Sequence, residues 1–297
     1  ACSPSAPTST KRPPLKRLAC LLFLLLPAIS QAQEWLIYTH SLGNQGVLID
    51  GQLHGREHAG KRAFYLELVH MLLASGLTVA FLIAGISAYR WLRGDHAPAV
   101  ASGLRFGVIL GAALIPLQIL AGDMHGLNTL EHQPAKVAAM EGNWQTREGV
   151  PLLLFALPDK EAQQNRFEVG IPRLASFILT HDWNGVVPGL NEVAPEEQPP
   201  VFVVFWAFRV MVGLGLLMIL VGVWGLLLRR KGRYYQSTLY LQTLRLMSLT
   251  PFFAVLAGWI VTETGRAPWL IYGQMTHAQG LTPSLTGGMA LFTLIGY

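Results

Sequence analysis

Three apolar stretches of this sequence each carry side chains that hydrocarbon does not tolerate without a partner. His70 lies in YLELVHMLLASG, Arg209 and Met211 lie in FWAFRVMVGLG, and Glu263 lies in AGWIVTETGRAPW, three residues before Arg266. An ionisable group at the centre of a membrane helix costs about 3 kcal/mol on insertion scales, so such groups face a bundle interior or a cavity. An imidazole and a thioether from two helices can hold the iron of a low-spin haem and raise its potential, and a buried guanidinium can pair with haem propionates. Each residue also has a plainer reading. The histidine can be a hydrogen-bonded packing residue, the methionine a core filler, and Glu263 with Arg266 an i,i+3 ion pair. Other chemistry has little support, since the sequence has no His/Glu helix motif for zinc, no phosphate-binding glycine loop and no nucleophile motif.

The elements that must position these groups are membrane spans. The chain has 297 residues, 52% of them hydrophobic and 13% charged, about half the charge of an ordinary soluble domain. Crossing a hydrocarbon core takes roughly 20 residues of helix. Runs of that kind occur at Leu66 to Leu92, Ala101 to Gly122, Val201 to Leu228 and Thr243 to Thr262, and another begins near Gly287 and is expected to be cut short at Tyr297. The pairs of small residues, such as Gly213 and Gly215, fit close helix packing. At the front, Lys11, Arg12, Lys16 and Arg17 precede the apolar run Leu18 to Ile29, the layout of a secretory signal or of an incidental start to a fragment. Both cysteines, Cys2 and Cys20, fall there, which excludes disulfide and cysteine-metal chemistry from the rest of the chain.

Basic residues orient the spans. Arg90, Arg93, Arg105, Arg229, Arg230, Lys231, Arg233 and Arg245 flank the same ends of successive runs, which the positive-inside rule places in the cytoplasm. Topology therefore accounts for the net charge of +5 without nucleic acid. His70, Met211 and Glu263 then share the outer half of the bilayer. The division expected is a divergent N-terminus over 1–46, two spans over 47–122, an extracytoplasmic loop over 123–200, and further spans over 201–297. That loop is far longer than a usual connection. Its apolar segments VPLLLFALP and FEVGIPRLASFILTH favour an ordered cap. Within it, EHQPAKVAAMEGNW predicts a helix starting at Pro134, the favoured first position. Val137, Met140 and Trp144 would form its apolar stripe. Lys136 and Glu141 would point about 140° apart, so they would not pair with each other. On pattern alone this is an amphipathic surface helix. The fold class expected is an all-α integral membrane protein, a transmembrane helix bundle with a long extracytoplasmic loop.

Five stretches, VHMLLASGLTVAFLIAG, GDMHGLNTLEHQPAKVAAMEGNW, LLLFALPDKEAQQNRFEVGIPRLASFILTH, FWAFRVMVGLGLL and AGWIVTETGRAPW, together resemble subunit I of the cytochrome bd-type quinol oxidases. The outer loop is most similar to the cyanide-insensitive branch. The resemblance covers about residue 47 to the end. It implies that His70 and Met211 are axial ligands of a low-spin haem b, with Arg209 beside that haem. It implies that Glu263 is a ligand in the high-spin pair, a haem b with haem d or a b-type replacement, flanked by Trp259, Arg266 and Trp269. It also implies that Lys136 and Glu141 act in quinol oxidation, while Asp123 aligns with an acidic loop residue. The sequence departs from the family at its front, where the helices bearing a histidine ligand of the high-spin site are not recognisable in residues 1–46. It departs again at Ala267, which stands where the better-known branch has Gln.

The activity implied is oxidation of ubiquinol or menaquinol at the outer face of a bacterial cytoplasmic (inner) membrane. Electrons would pass through the low-spin haem to the high-spin pair, which reduces oxygen to water. Partial shielding from water would suit Glu141 as acceptor of a quinol proton. A second oxidase subunit and membrane lipid are the partners expected, with no nucleic acid, and the fragment alone is expected to be inactive. Two other readings compete: a membrane b-type cytochrome that only relays electrons or binds quinone, and a transporter whose buried His, Arg and Glu line a polar path.

Overall fold

The computed structural model describes residues 46–49, 52–55, 57–231, 233–273, 275–280 and 286–296. The signal-like segment, with Cys2 and Cys20, lies outside the described residues. The chain divides into two units, 1–61 and 62–297. In the first, strands β1 (Gly46–Ile49) and β2 (Gln52–Gly55) pair as an antiparallel hairpin, and helix α1 (Glu57–Leu92) begins.

The second unit is a helical bundle with a folded loop. Its helices long and apolar enough to cross a membrane are Phe64–Leu92, Pro98–His132, Val201–Arg230 and Thr238–Thr264. The first of these belongs to α1, and the second and third are α2 (Pro98–His132) and α5 (Val201–Arg230). The fourth is not one regular helix. It joins α6 (Thr238–Leu246) to α7 (Thr250–Thr264) through a 3-10 turn at Met247–Leu249. Pro251 explains the break, because it has no N–H to give the carbonyl four residues back. A further helix, α8 (Gly287–Gly296), stands where the fifth run was expected.

Small residues set the helix contacts at one end of the bundle. A Cβ at Gly107 would stand 2.6 Å from the Ala80 carbonyl oxygen and 2.7 Å from the Ala84 nitrogen, so the backbones of α1 and α2 touch there. At Gly225 a Cβ would meet the Tyr240 ring and Val108, and at Gly85 it would meet Ser248 and the Leu244 carbonyl. The pair picked out from the sequence does not serve this purpose. A Cβ at Gly213 or Gly215 would meet nothing within 4 Å, because both face away from the neighbouring helices of the chain. Around the close contacts lies an apolar core that includes Leu77, Phe81, Leu104, Val108, Val221, Tyr240 and Leu244. Tyr234 and Tyr235 tie the turn after α5 to the start of α2 by donating to the carbonyls of Leu104 (2.9 Å) and Ala101 (3.3 Å). Arg93 donates to the Tyr89 hydroxyl, and Arg245 lies over the Tyr89 ring. Basic residues from separate connections thus gather at one end, as their spacing required.

At the opposite end α2 runs ten residues beyond Gly122, so the boundary expected at Asp123 falls inside the helix. Nothing in DMHGLNTLEH breaks a helix. Pro134 does so indirectly, since it bars the residue before it from helical geometry, and Gln133 sits at φ −139°, ψ 62°. Helix α3 (Pro134–Glu141) starts at that proline, and Gly142 ends it in the left-handed conformation at φ 66°. The ending removes Trp144 from the expected stripe; its indole instead donates to Asn165 at 2.8 Å. Nor is α3 a surface helix, for Ala135, Lys136, Val137, Ala138, Ala139 and Glu141 are all buried. It packs with Val201 and Val204 of α5 and Val261 of α7.

The rest of the loop is ordered. Strands β3 (Arg147–Glu148) and β6 (Val186–Val187) pair, and β4 (Leu152–Asp159) and β5 (Gln164–Ile171) form a bulged antiparallel hairpin before helix α4 (Leu174–Thr180). Buried amides and hydroxyls pin these pieces. Asn143 donates to the carbonyls of Val187 and Pro188, Gln198 donates to those of Leu190 and Val193, and Ser176 accepts from the Val150 amide while donating to the Gly185 carbonyl. Past α7, β7 (Trp269–Ile271) and β8 (Met275–Thr276) make a last short hairpin.

Overpacking a close helix contact costs about 1–3 kcal/mol. Gly107→Leu is therefore expected to lower the thermal unfolding midpoint of the detergent-solubilised protein. Gly213→Ala, with open space around the new methyl group, should not lower it.

Candidate functional site

The loop end of the bundle holds a buried ion pair. Arg209 on α5 donates through Nη2 to Oε2 of Glu141 at 2.8 Å, with side-chain exposures of 9% and 6%. Its Nε donates to the Leu153 carbonyl on β4. The guanidinium also lies over the rings of Phe205 (4.6 Å) and Phe208 (5.3 Å). Arginine suits this place because its planar fork satisfies a carboxylate and a carbonyl together while its faces stack on aromatics. Glu141 is the last residue of α3, and the glycine turn after it rests on Phe205: a Cβ at Gly142 would stand 3.3 Å from that ring.

Lys136 is buried on a different side of α3. Its Nζ donates to Gln133 at 3.3 Å, and its stem lies along the end of α7, where a Cβ at Gly265 would stand 2.9 Å from the Lys136 Cγ. Burial pushes the ammonium down to about 8. Glu67 and Glu263 oppose that shift, and Arg266 adds to it. Lys136 and Glu141 therefore make separate contacts, as their angular spacing required.

His70 sits against α2. The Gln118 side-chain amide lies 3.2 Å from its Nδ1 and 3.1 Å from its Nε2, and the His125 ring stacks on it at 5.7 Å with an interplanar angle of 18°. A Cβ at Gly122 would stand 3.3 Å from the His70 Cε1. Met211 has a matching seat on α7, where a Cβ at Gly258 would stand 2.9 Å from its sulfur. Each side chain thus packs closely against a helix at a glycine. One imidazole and one thioether on different helices are a donor set that fits a low-spin haem b.

The residues expected around a high-spin pair are more open. Glu263 receives Arg266 Nη2 at 2.7 Å with its carboxylate side chain 49% exposed, the plain i,i+3 pair read from the sequence. Trp259 is exposed, and Trp269, in β7, is half-buried near Tyr272. Among the described residues no group of three or more His, Cys, Asp or Glu side chains is placed to hold a metal ion. These residues do not complete a high-spin site. Asp123 is half-buried on α2.

Several members of this layer were not picked out from the sequence. Gln118, Gly122 and His125 lie at i, i+4 and i+7 on α2, a polar and small stripe in a helix of otherwise lipid-like composition, and that periodicity was the available signal. Asn128 continues it, and the Oε1 of Gln118, Nδ1 of His125 and Oδ1 of Asn128 are buried with no hydrogen-bond partner. The Leu153 carbonyl carried no signal at all, since any residue has one.

Residues 57–297 match the family described as cytochrome bd terminal oxidase subunit I. The chain is 33% identical over 243 residues to the cytochrome bd ubiquinol oxidase subunit 1 of Bacillus subtilis (strain 168), covering 78% of this chain and 52% of that protein. It is 28% identical over 297 residues to the cytochrome bd-II ubiquinol oxidase subunit 1 of Escherichia coli (strain K12), covering 77% and 57%. The chain thus spans about half the length of the curated relatives it matches. In fold it is similar to the bd oxidase structure from Geobacillus thermodenitrificans, with a TM-score of 0.80 at 23% identity, covering 97% of this chain and 67% of that one.

Removing one partner of a buried ion pair costs about 3–5 kcal/mol, because the other is left charged and unpaired. Arg209→Met should destabilise the protein by about that much, and Glu141→Gln in the same chain should recover most of the loss, as read by a double-mutant cycle of denaturant unfolding. Lys136 gives a pH signature. Its folded value near 8 lies below the ordinary 10.5, so the unfolded chain binds more protons between these limits and stability rises with pH across that window. Lys136→Met should be more stable than the parent below pH 8, and the difference should close as the pH approaches 10.5.

Proposed function

This chain belongs to the cytochrome bd terminal oxidase subunit I family, and from that membership we propose that it is the haem-bearing part of a multi-pass membrane quinol:oxygen oxidoreductase. The observation that carries this reading is the buried pair of Glu141 and Arg209. It joins the loop helix, with its two candidate quinol-handling side chains, to the helix that bears Met211 two residues further on. A quinol gives up protons and electrons together, so a proton acceptor on α3 belongs beside the electron acceptor.

His70 and Met211 would hold the low-spin haem b, each packed against a helix at a glycine. Bound haem supplies one-electron chemistry that neither side chain has. The chain's own residues handle the protons. Arg209 fixes Oε2 of Glu141, which leaves Oε1 to take the proton of a quinol hydroxyl. Lys136, whose ammonium burial brings down to about 8, is suited to donate a hydrogen bond to a quinol oxygen from the other side of α3. Glu263, with Trp259, Arg266 and Trp269 around it, is the contribution proposed toward the high-spin haem b and the haem d or b-type replacement. The described residues do not complete that site. Quinol, ubiquinol or menaquinol, would be oxidised at the face opposite the basic end of the bundle, the outer face of the bacterial inner membrane. A second oxidase subunit is the partner proposed.

Reduced-minus-oxidised spectra and quinol-dependent oxygen uptake of the assembled protein in membranes test this reading. Expected are a low-spin b band that is lost in His70→Ala and in Met211→Leu, and Glu141→Gln with normal bands but slowed uptake. Absence of haem bands would overturn the assignment. Bands without uptake would favour an electron relay instead.

A further inference from the structure

One β-hairpin holds both halves of the Glu141–Arg209 pair. Strand β4 takes the guanidinium, whose Nε donates to the Leu153 carbonyl, and its partner β5 reaches the chain just past the carboxylate through Asn165. The Asn165 amide makes three hydrogen bonds there. Its Nδ2 donates to the Gly142 carbonyl at 2.9 Å and to Oε1 of Glu168 at 2.7 Å, while its Oδ1 accepts from the Trp144 indole at 2.8 Å. An indole N–H only donates and a carbonyl only accepts, so one orientation of the amide satisfies all three. The amides of Gly142 and Asn143 still return to α3, at Ala139 and Ala138, but the Gly142 carbonyl lies past the helix ladder. Asn165 therefore closes across the left-handed turn that follows Glu141.

We propose that Asn165 is a positioning residue for quinol oxidation, clamping that turn so that the free oxygen of the Glu141 carboxylate stands where it meets a quinol hydroxyl. Arg209 fixes the other carboxylate oxygen but does not by itself set the backbone at the end of α3. The hairpin adds that constraint, gripping the guanidinium with one strand and the turn after the carboxylate with the other. Proton transfer needs donor and acceptor oxygens within hydrogen-bond reach, and a misplacement of about 1 Å can cost on the order of a hundredfold in rate. The residue type suits the task, because one planar amide supplies donors and an acceptor together. Leucine has the size of asparagine but would leave the Gly142 carbonyl and the Trp144 N–H without this partner. Aspartate would keep the acceptor but set a second carboxylate against Glu168 and against the Gly142 carbonyl.

This inference rests on Glu141 being the proton acceptor, and its test is separate from the test of that role. Quinol-dependent oxygen uptake of the assembled protein in membranes is measured for Asn165→Leu, for Glu141→Gln and for the double variant, with kcat and the KM for quinol separated. Asn165→Leu is expected to lower kcat about tenfold with KM within about twofold, the pattern of an interaction made in the transition state, and to keep its b bands. In the Glu141→Gln background the same substitution should slow uptake no further, since the carboxylate it positions is gone. An amide that only holds the fold would slow both backgrounds alike. If Glu141→Gln leaves no uptake to compare, the split between kcat and KM in Asn165→Leu decides. If Asn165→Leu does not assemble, Trp144→Phe, which removes only the indole arm of the clamp, must keep its b bands and show the same dependence on Glu141. Wild-type kcat in Asn165→Leu, a rise in KM in place of the fall in kcat, equal slowing in both backgrounds, or loss of b bands from both Asn165→Leu and Trp144→Phe would overturn the proposal. Should Glu141→Gln turn over normally, the proton role itself fails, an outcome distinct from these.

Discussion

A carboxylate and a guanidinium, neither able to stay charged alone in a water-poor interior, meet at Glu141 and Arg209, and much of the structure's loop end follows from that requirement. Taking two charges out of water costs several kcal/mol per ion, so the surroundings must satisfy what the pair leaves over. The Leu153 carbonyl takes the guanidinium Nε, and Phe205 and Phe208 cover its faces. Three separate pieces are thereby fixed to one side chain: the end of α3, strand β4 and the wall of α5. Once α3 is held there, Gly142 must turn on Phe205, and the strands beyond it are secured by the buried amides of Asn143 and Gln198.

The two ends of the bundle are built on different physics. At the basic end, helices approach through Gly85, Gly107 and Gly225, and the core between them is largely apolar, with Tyr234 tied to the Leu104 carbonyl. Tight contacts of this kind leave little room for a cofactor. At the loop end, glycines do something else, receiving the His70 ring and the Met211 sulfur rather than bringing backbones together. Polar groups concentrate there, and low dielectric makes each of their hydrogen bonds count for more and each unmade one cost more.

Much of this was legible before any coordinates. The lengths of the apolar runs gave the spans, and the basic residues predicted which ends lie together. Pro134 marked the first residue of α3, and five-residue spacing separated Lys136 from Glu141. Where the reading differed from the structure, a local rule had been applied too far. Apolar composition stops near Asp123, which predicts a loop there, yet α2 continues until Pro134 bars Gln133 from helical geometry. Gly213 and Gly215 have the spacing of a packing motif, but spacing does not say which face of α5 meets a neighbour. Helix α3 has the pattern of a surface helix and is buried because other helices cover its polar side as well.

The sequence by itself determined the class of the protein, a multi-pass helical membrane chain of the bd oxidase subunit I family, and the identities of the groups able to do chemistry. The helical membrane class and the candidate groups follow from periodicity, composition and residue type, which act over one or two helical turns; the family is what the resemblance of five long stretches implies. Only the tertiary structure decided partners. Glu141 and Arg209 are 68 residues apart, and His70 and Gln118 are 48 apart. No local pattern links either pair, because a buried polar group takes whichever complementary group the packing of distant helices brings within about 3 Å.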